Sequence, residues 1–361
     1  MNENGKISYK QIVSLIIMTI SPTAILYLPT LIYKEAKQDG WISIIVVTVY
    51  SLFLTFVINK LNLMFVDKTI IEYSVDIVGK YFGKTIGLIY CVMFINLNST
   101  VIREFSEFLA GPFMMETPIL FFTIGIMLPS IFGVYKGIEV IGRTAQIILP
   151  IFIGAVVIII ILGIKDMNFS NLQPIMEDGF VPVLKGATRQ MSWFSQPMIL
   201  VIIMPFINNP QKVGKTSYLA VILTSFLILS VNISIITTFG CQTKIMIYPF
   251  LSFARYITAL GFIERLDSII MFLWIGGVFV KIVVLHYCSV ISISQLFQVK
   301  DYRKLSIPVG IILIVISTVA WKSLVELKDY IKSFNYYFNV SIQAGIPITL
   351  IVIEKIKRRY I

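Results

Sequence analysis

The stretch from Lys10 to Lys37 constrains this chain most, because it is apolar enough to cross a bilayer yet is interrupted at its centre. About 20 helical residues are needed to span a hydrocarbon core of ~30 Å. Pro22 lacks an N–H and its ring clashes with the carbonyl four residues back, so the pattern predicts a first half-helix ending near Ile20. A second half-helix would begin at Pro22 with Ser21 as its N-cap. The alternative is a proline-kinked helix that binds no ligand.

The composition indicates a membrane protein. Of the 361 residues, 57% are hydrophobic and only 14% are charged, whereas a soluble domain has about 25% charged residues. We therefore predict a single all-α integral membrane domain over residues 1–361, with no cofactor and no metal site. The odd, scattered cysteines suggest buried small hydrophobes rather than a disulfide framework. The polar N-terminus leads into a span without a cleavage pattern and is expected to be retained.

Ten apolar spans are predicted along the chain. They cover roughly 10–33, 41–59, 84–109, 118–135, 143–164, 186–207, 216–239, 266–292, 304–321 and 336–354. An even number of spans puts both termini on one side of the bilayer, and more than half of the 30 Lys and Arg residues fall on that side. The positive-inside rule makes it the cytoplasmic side. The net charge of +11 therefore reflects the membrane topology rather than a nucleic-acid partner.

The sixth span repeats the pattern of the first. Its polar run from Ser192 to Pro197 interrupts an apolar stretch that resumes at Met198. Broken spans at positions one and six divide the chain into two five-span halves, about 10–165 and 186–354, and an odd number of spans inverts the second half. Paired interrupted spans of this kind are typical of the binding site of a transporter.

Two blocks of sequence resemble a known family, the endospore germination permeases, which are the B subunits of nutrient germinant receptors. Gly261-Phe262-Ile263-Glu264-Arg265, followed by Trp274, Gly277 and Lys281, resembles the eighth span of that family. Residues 103–107 and Glu116-Thr117-Pro118 are similar to its third-span exit. One departure is the lack of any glycine between Gly5 and Gly40, because permeases of this kind usually place glycine near the break of the first span.

The resemblance implies a fold, a role and partners. The fold would be LeuT-like, as in the amino acid–polyamine–organocation superfamily, with a 5+5 inverted repeat and broken helices 1 and 6. The role would be sensing a nutrient, usually an amino acid, in the spore inner membrane. The implied partners are an A-type membrane subunit and a C-type lipoprotein.

The two breaks supply the candidate ligand contacts. The N-termini of the second half-helices would attract a carboxylate, and the free carbonyls near Ile20 and Met191 would suit an ammonium, so we expect a small zwitterionic amino acid. Asn96 and Thr100 share one face of span 3 and either line the pocket or form ordinary interhelical hydrogen bonds. The candidate residues are Ser21, Pro22, Thr23, Ile25, Asn96, Thr100, Trp193, Phe194 and Ser195.

Charged residues within the spans form a second group. Lys281 lies deep in span 8, and in a LeuT-like fold it would face the break of span 1, where sodium-coupled relatives bind an ion. Its ammonium is expected to substitute for that cation, and the alternative is a lysine that snorkels to the interface. Arg103 and Glu107 are four residues apart and are expected to form a structural ion pair, with a ligand contact as the alternative.

Three functions fit the predicted spans and the candidate residues. The first is a receptor subunit that binds a nutrient and signals to partner subunits, and the second is an amino acid permease that is proton-coupled or ion-independent. The third, a membrane enzyme, is the weakest because the polar residues in the spans are too few for acid–base catalysis. The block-level resemblance favours the receptor, although both of the first two functions share one fold.

Overall fold

The computed structural model describes residues 5–257 and 266–360 and is helical throughout, apart from one isolated bridge between Ile7 and Ile207. Ten spans cross the bundle over these residues, which confirms the predicted number. Their helices are Tyr9–Ala36, Gly40–Met64, Lys80–Ala110, Ile119–Lys136, Ile138–Gly163, Phe180–Phe194 with Leu200–Ile203, Pro210–Phe239, Leu266–Leu296, Ser306–Val319, and Leu324–Tyr330 continuing through Tyr336–Val340 to Ile346–Tyr360.

Eight described stretches are long and apolar enough to cross a membrane unbroken. The first of them, Tyr9–Met64, contains spans 1 and 2, which are joined by a 3-10 turn at Lys37–Asp39. Span 6 is not among the eight because its interruption leaves two short pieces. Counting spans 1 and 2 separately and adding span 6 therefore turns the eight stretches into ten spans.

The predicted break in span 1 is wrong. Span 1 is one continuous α-helix from Tyr9 to Ala36, with Pro22 and Pro29 inside it. Neighbouring helices pack around this segment, which lets a membrane helix continue through a proline. Trp274 of span 8, for example, donates a hydrogen bond to the carbonyl of Pro22 over 3.1 Å. With no glycine between Gly5 and Gly40, the helix also lacks the residue that most readily leaves helical geometry.

The predicted break in span 6 is confirmed. Its first helix ends at Phe194, with Ser195 as C-cap, rather than near Met191. A 3-10 turn at Gln196–Ile199 contains Pro197, and one helical turn, Leu200–Ile203, precedes a second 3-10 turn at Met204–Phe206. Proline at the start of the turn fits its lack of an N–H.

Span 10 and the connection from span 7 to span 8 complete the fold around the site. Span 10 begins at Leu324, earlier than predicted, and includes π-helical turns at Ile331–Asn335 and Ser341–Gly345. The connection forms a 3-10 helix at Gly240–Ile245 and a short helix at Pro249–Tyr256, whose apolar side chains are buried, as expected for a segment that packs on the bundle. The block Gly261–Arg265 lies outside the described residues.

Two of the three cysteines follow expectation. Cys91 and Cys288 are buried, whereas Cys241 is exposed at the turn after span 7, so the expectation of a buried residue is wrong there. An exposed native thiol is reactive towards labelling reagents, and labelling experiments therefore need it replaced.

Candidate functional site

The hydroxyl of Thr23 joins three spans. Lys281 of span 8 donates a hydrogen bond from Nζ to Thr23 Oγ1 over 2.7 Å, and Trp193 of span 6 donates from Nε1 to the same oxygen over 3.1 Å. Thr23 is fully buried and Lys281 is 1% exposed. Three residues selected from the sequence therefore meet at one atom, and Lys281 does not extend to the membrane interface.

Span 8 lies directly against the proline of span 1. A Cβ added to Gly277 would come within 2.9 Å of Pro22 Cγ, so only glycine allows this close approach. Trp274, one turn earlier, donates to the Pro22 carbonyl. Span 8 therefore contacts Pro22 of span 1 through both Trp274 and Gly277.

Span 2 forms hydrogen bonds with two polar groups at the break in span 6. Ser51 Oγ donates to the carbonyl of Phe194 over 2.6 Å, and Tyr50 OH and Ser195 Oγ share a hydrogen bond of 2.8 Å. The carbonyl of Met191 accepts the N–H of Ser195 over 2.9 Å. The expectation of free carbonyls for a ligand ammonium is therefore wrong at span 6. At span 1 the helix is continuous, so no half-helix ends near Ile20, although Pro22 leaves the carbonyl of Met18 without its helical N–H.

A cavity of about 150 Å³ lies next to the cluster of Thr23, Trp193 and Lys281. Trp193 belongs to both, since its side chain lines the cavity while its Nε1 donates to Thr23. The cavity is lined by spans 1, 3, 6 and 10 and the connection after span 7, through Tyr27, Thr30, Leu31, Lys34, Glu104, Trp193, Ile245, Met246, Ile247, Leu324, Leu327, Lys328, Ile331 and Lys332.

Glu104 is the acidic residue of this cavity. The residue is 6% exposed, and its carboxylate interacts electrostatically with Lys281 and with Lys328. Sequence reasoning did not select Glu104 for the site, although it lies within the block 103–107. Helical geometry alone could not have selected it, because residue 104 lies ~100° around the helix from residue 103 but is three residues from Glu107, a spacing that shares a face.

The remaining candidates lie in different surroundings. Ser21 and Phe194 are fully buried, and no described residue is a hydrogen-bond partner of Ser21 Oγ. Thr100 Oγ1 donates to Leu97 of its own helix. Asn96 donates to Tyr330 OH in a groove beside span 10, away from the residues lining the 150 Å³ cavity.

Pro22 and Ile25 line a smaller cavity of about 20 Å³ between spans 1, 5 and 8. Its walls are apolar and include Phe152 and Trp274. A space of this size holds about one water molecule. It is distinct from the cavity lined by Glu104 and Trp193, and the structure therefore does not place all candidates around one space.

Arg103 and Glu107 form an ion pair with an N–O distance of 2.8 Å. The guanidinium of Arg103 also donates to the carbonyls of Ser317 and Thr318 of span 9. This arrangement fixes span 3 against span 9. Neither residue lines the 150 Å³ cavity.

The chain is similar to known proteins over nearly its whole length. A family model described as spore germination protein, the spore permease family, matches residues 6–325. Spore germination protein KB of Bacillus subtilis (strain 168) is 26% identical and covers 99% of this chain and 96% of its own length. Spore germination protein YndE of the same organism is also 26% identical and covers 98% of each chain.

Solved transporter structures share the fold. MhsT, solved in complex with L-phenylalanine, superposes with a TM-score of 0.65 at 13% identity and covers 95% of this chain and 97% of its own. A Na⁺-coupled sialic acid symporter gives a TM-score of 0.60 at 14% identity, covering 93% and 77%. The expected LeuT-like fold is thus confirmed. The match over residues 6–325 shows that the chain belongs to the spore germination permease family.

Proposed function

We propose that this chain is the nutrient-sensing subunit of a spore germination receptor in the spore inner membrane, with both termini cytoplasmic. It binds a small amino acid at mid-membrane between spans 1 and 6, and it signals to an A-type membrane subunit and a C-type lipoprotein. Relatives named as spore germination proteins support a role in spore germination. The family and the fold are those of permeases and transporters, not of an enzyme class.

The shared hydroxyl of Thr23 is the observation that carries this proposal. A ligand that displaces the indole of Trp193 would change the contacts of spans 1, 6 and 8 together, because all three meet at that oxygen. Such a junction suits a sensor, which must convert the binding of a small molecule into helix movement. MhsT, which shares the fold, was solved with the amino acid L-phenylalanine.

Lys281 is proposed to replace a bound cation between spans 1 and 8. Its buried ammonium lies on Thr23, within the segment of span 1 that packs on Gly277. A fixed ammonium provides a positive charge and a hydrogen bond to Thr23 where a sodium ion would be coordinated by oxygen atoms, without depending on the external ion concentration. A sensor of this type responds to its nutrient at any sodium level.

Germination of spores that lack this chain tests the proposal. Spores with an in-frame deletion and spores complemented with the wild-type chain are exposed to each of the twenty L-amino acids, and loss of optical density is followed. We expect at least one amino acid to trigger only the complemented spores. Identical germination of both strains with every amino acid would contradict the receptor assignment.

An amino acid permease is the second candidate, favoured by the likeness of the fold to two transporters. Purified protein in liposomes would then accumulate a labelled amino acid, with or without a proton gradient. The receptor proposal expects binding without such accumulation. Measurement of binding and uptake on the same preparation separates the two functions.

A further inference from the structure

The carboxylate of Glu104 is buried without an ion-pair partner. Among the described residues, no lysine or arginine nitrogen lies within 4.0 Å of it, although Lys281 and Lys328 act on it electrostatically from greater distance. An ionised carboxylate in a membrane interior without a close partner is costly and usually serves a ligand or a pathway. The side chain lines the 150 Å³ cavity, so a ligand there can reach it.

A lysine faces the same cavity from span 10. Lys328 is half-buried and its ammonium lies 5.9 Å from the centre of the Tyr248 ring, a cation–π contact that helps to hold it in place. Lys34 and Lys332 also line the cavity but are exposed, so solvent and salt screen their charges. The described carboxylates form no ion pair with any of these three lysines. One buried carboxyl group and one half-buried lysine thus face the cavity.

The walls between these charges are apolar. Leu31, Met246, Leu327 and Ile331 are among the lining residues, and Trp193 adds an aromatic surface at the inner end. The volume of about 150 Å³ corresponds to roughly five water molecules. A ligand of this size has few non-hydrogen atoms, and the walls favour a short apolar side chain over a polar one.

We propose that this cavity binds the head group of a small zwitterion, with the ammonium on Glu104 and the carboxylate on Lys328. The inference rests on the proposed function, since it specifies how a sensed amino acid is held. Two side chains thereby take the place of the half-helix ends predicted from the sequence, since span 1 is continuous and the Met191 carbonyl of span 6 accepts the N–H of Ser195. Glu104 also acts electrostatically on Lys281, which hydrogen-bonds to Thr23.

Binding to the purified full-length chain in detergent micelles tests the assignment. The probes are the twenty L-amino acids and, for the tightest binder, its N-acetyl and methyl ester derivatives. Removal of a charge-assisted hydrogen bond costs about tenfold or more in affinity. Glu104→Gln should lose at least about tenfold for the free amino acid and leave the N-acetyl derivative, which has no ammonium, unchanged. Lys328→Gln should weaken the free amino acid and leave the methyl ester unchanged.

Matched controls are available on the exposed surface. Glu177→Gln and Lys322→Gln remove the same charges outside the cavity and should bind like the wild type. Unchanged affinity of Glu104→Gln for the free amino acid would overturn the assignment while the receptor proposal stands. Failure of the wild type to bind any amino acid would overturn both.

A labelling experiment tests the site without removing either charge. Its result therefore does not depend on whether the Glu104→Gln and Lys328→Gln variants fold. In a Cys241→Ser background, Leu324→Cys places a thiol on the cavity wall, and Val325→Cys places one on the exposed side of the same helix. The amino acid that binds should slow labelling of the first thiol by a polar methanethiosulfonate reagent and leave the second unchanged. Equal labelling rates of the Leu324→Cys variant with and without the amino acid would place the ligand elsewhere.

Discussion

Lys281 of span 8 donates a hydrogen bond to Thr23 of span 1 over 2.7 Å, in a part of the bundle where both side chains are buried. The same threonine oxygen accepts the indole N–H of Trp193. A single hydroxyl therefore connects the continuous first span, the broken sixth span and the buried lysine. The expected behaviour of variants follows from this connection.

Thr23→Val removes the shared acceptor while keeping the shape of the side chain. The buried ammonium of Lys281 and the indole of Trp193 each lose their partner, and an unsatisfied buried donor costs about 1–3 kcal/mol, more for a charged group. We expect a lower thermal unfolding midpoint in detergent and no nutrient response. Thr23→Ser keeps the hydroxyl and should restore most of both, whereas full response of the valine variant would show that the junction is dispensable.

Lys281→Met tests the proposed cation substitute. The variant should accumulate to the wild-type level in the spore membrane and fail to respond to nutrient, because spans 1 and 8 lose the charge between them. Lys281→Arg should also respond poorly, since the planar guanidinium is wider than an ammonium. Lys300→Met, exposed beyond the end of span 8, serves as the control. A normal response from Lys281→Met would disprove the cation role.

Part of this arrangement was predictable from the sequence and part was not. Apolar windows long enough to span a bilayer predicted the ten spans, and the polar run before Pro197 predicted the break in span 6. The same reasoning failed at Pro22, where the helix continues because neighbouring spans pack around it, including Trp274, which is far away in sequence and donates to the Pro22 carbonyl. Local patterns carry no information about such partners.

The site, like the fold, was predictable from the sequence only in part. Thr23, Trp193 and Lys281 were selected one by one from polarity and depth, and the structure brings them to one atom. Glu104 and Lys328 were not selected, because their importance depends on spans 3 and 10 facing one cavity. Asn96 had the right depth in the bilayer but faces the groove beside Tyr330. Depth follows from position in the sequence, whereas facing requires the helix packing.

Arg103 is expected to stabilise the fold rather than bind ligand. Arg103→Met leaves Glu107 without its partner in a nearly buried pair and frees two carbonyls of span 9, and breaking a buried pair costs about 3–5 kcal/mol. The exposed pair between Arg143 and Glu139 has the same spacing, and Arg143→Met should cost about 1 kcal/mol or less. Thermal unfolding of both variants measures the difference, and equal midpoints would contradict this assignment.

The orientation of the chain is tested by labelling of intact cells in the Cys241→Ser background. Glu177→Cys and Lys244→Cys lie in exposed connections on the side predicted to be external, and Arg358→Cys lies at the predicted cytoplasmic end. The first two should react with a membrane-impermeant maleimide before lysis, and the third only afterwards. The opposite pattern would invert the topology and place the Glu104 cavity on the cytoplasmic side.

The most direct test of the account is equilibrium binding of radiolabelled L-amino acids to the purified wild-type chain and to two tryptophan variants. Trp193→Leu removes the side chain shared by the cavity and the Thr23 junction. Trp321→Leu removes an equally buried tryptophan that packs on Tyr330 outside that cavity. We predict saturable binding of at least one amino acid to the wild type and to Trp321→Leu, and its loss in Trp193→Leu. Wild-type affinity in Trp193→Leu, or no saturable binding to the wild type, would contradict the account.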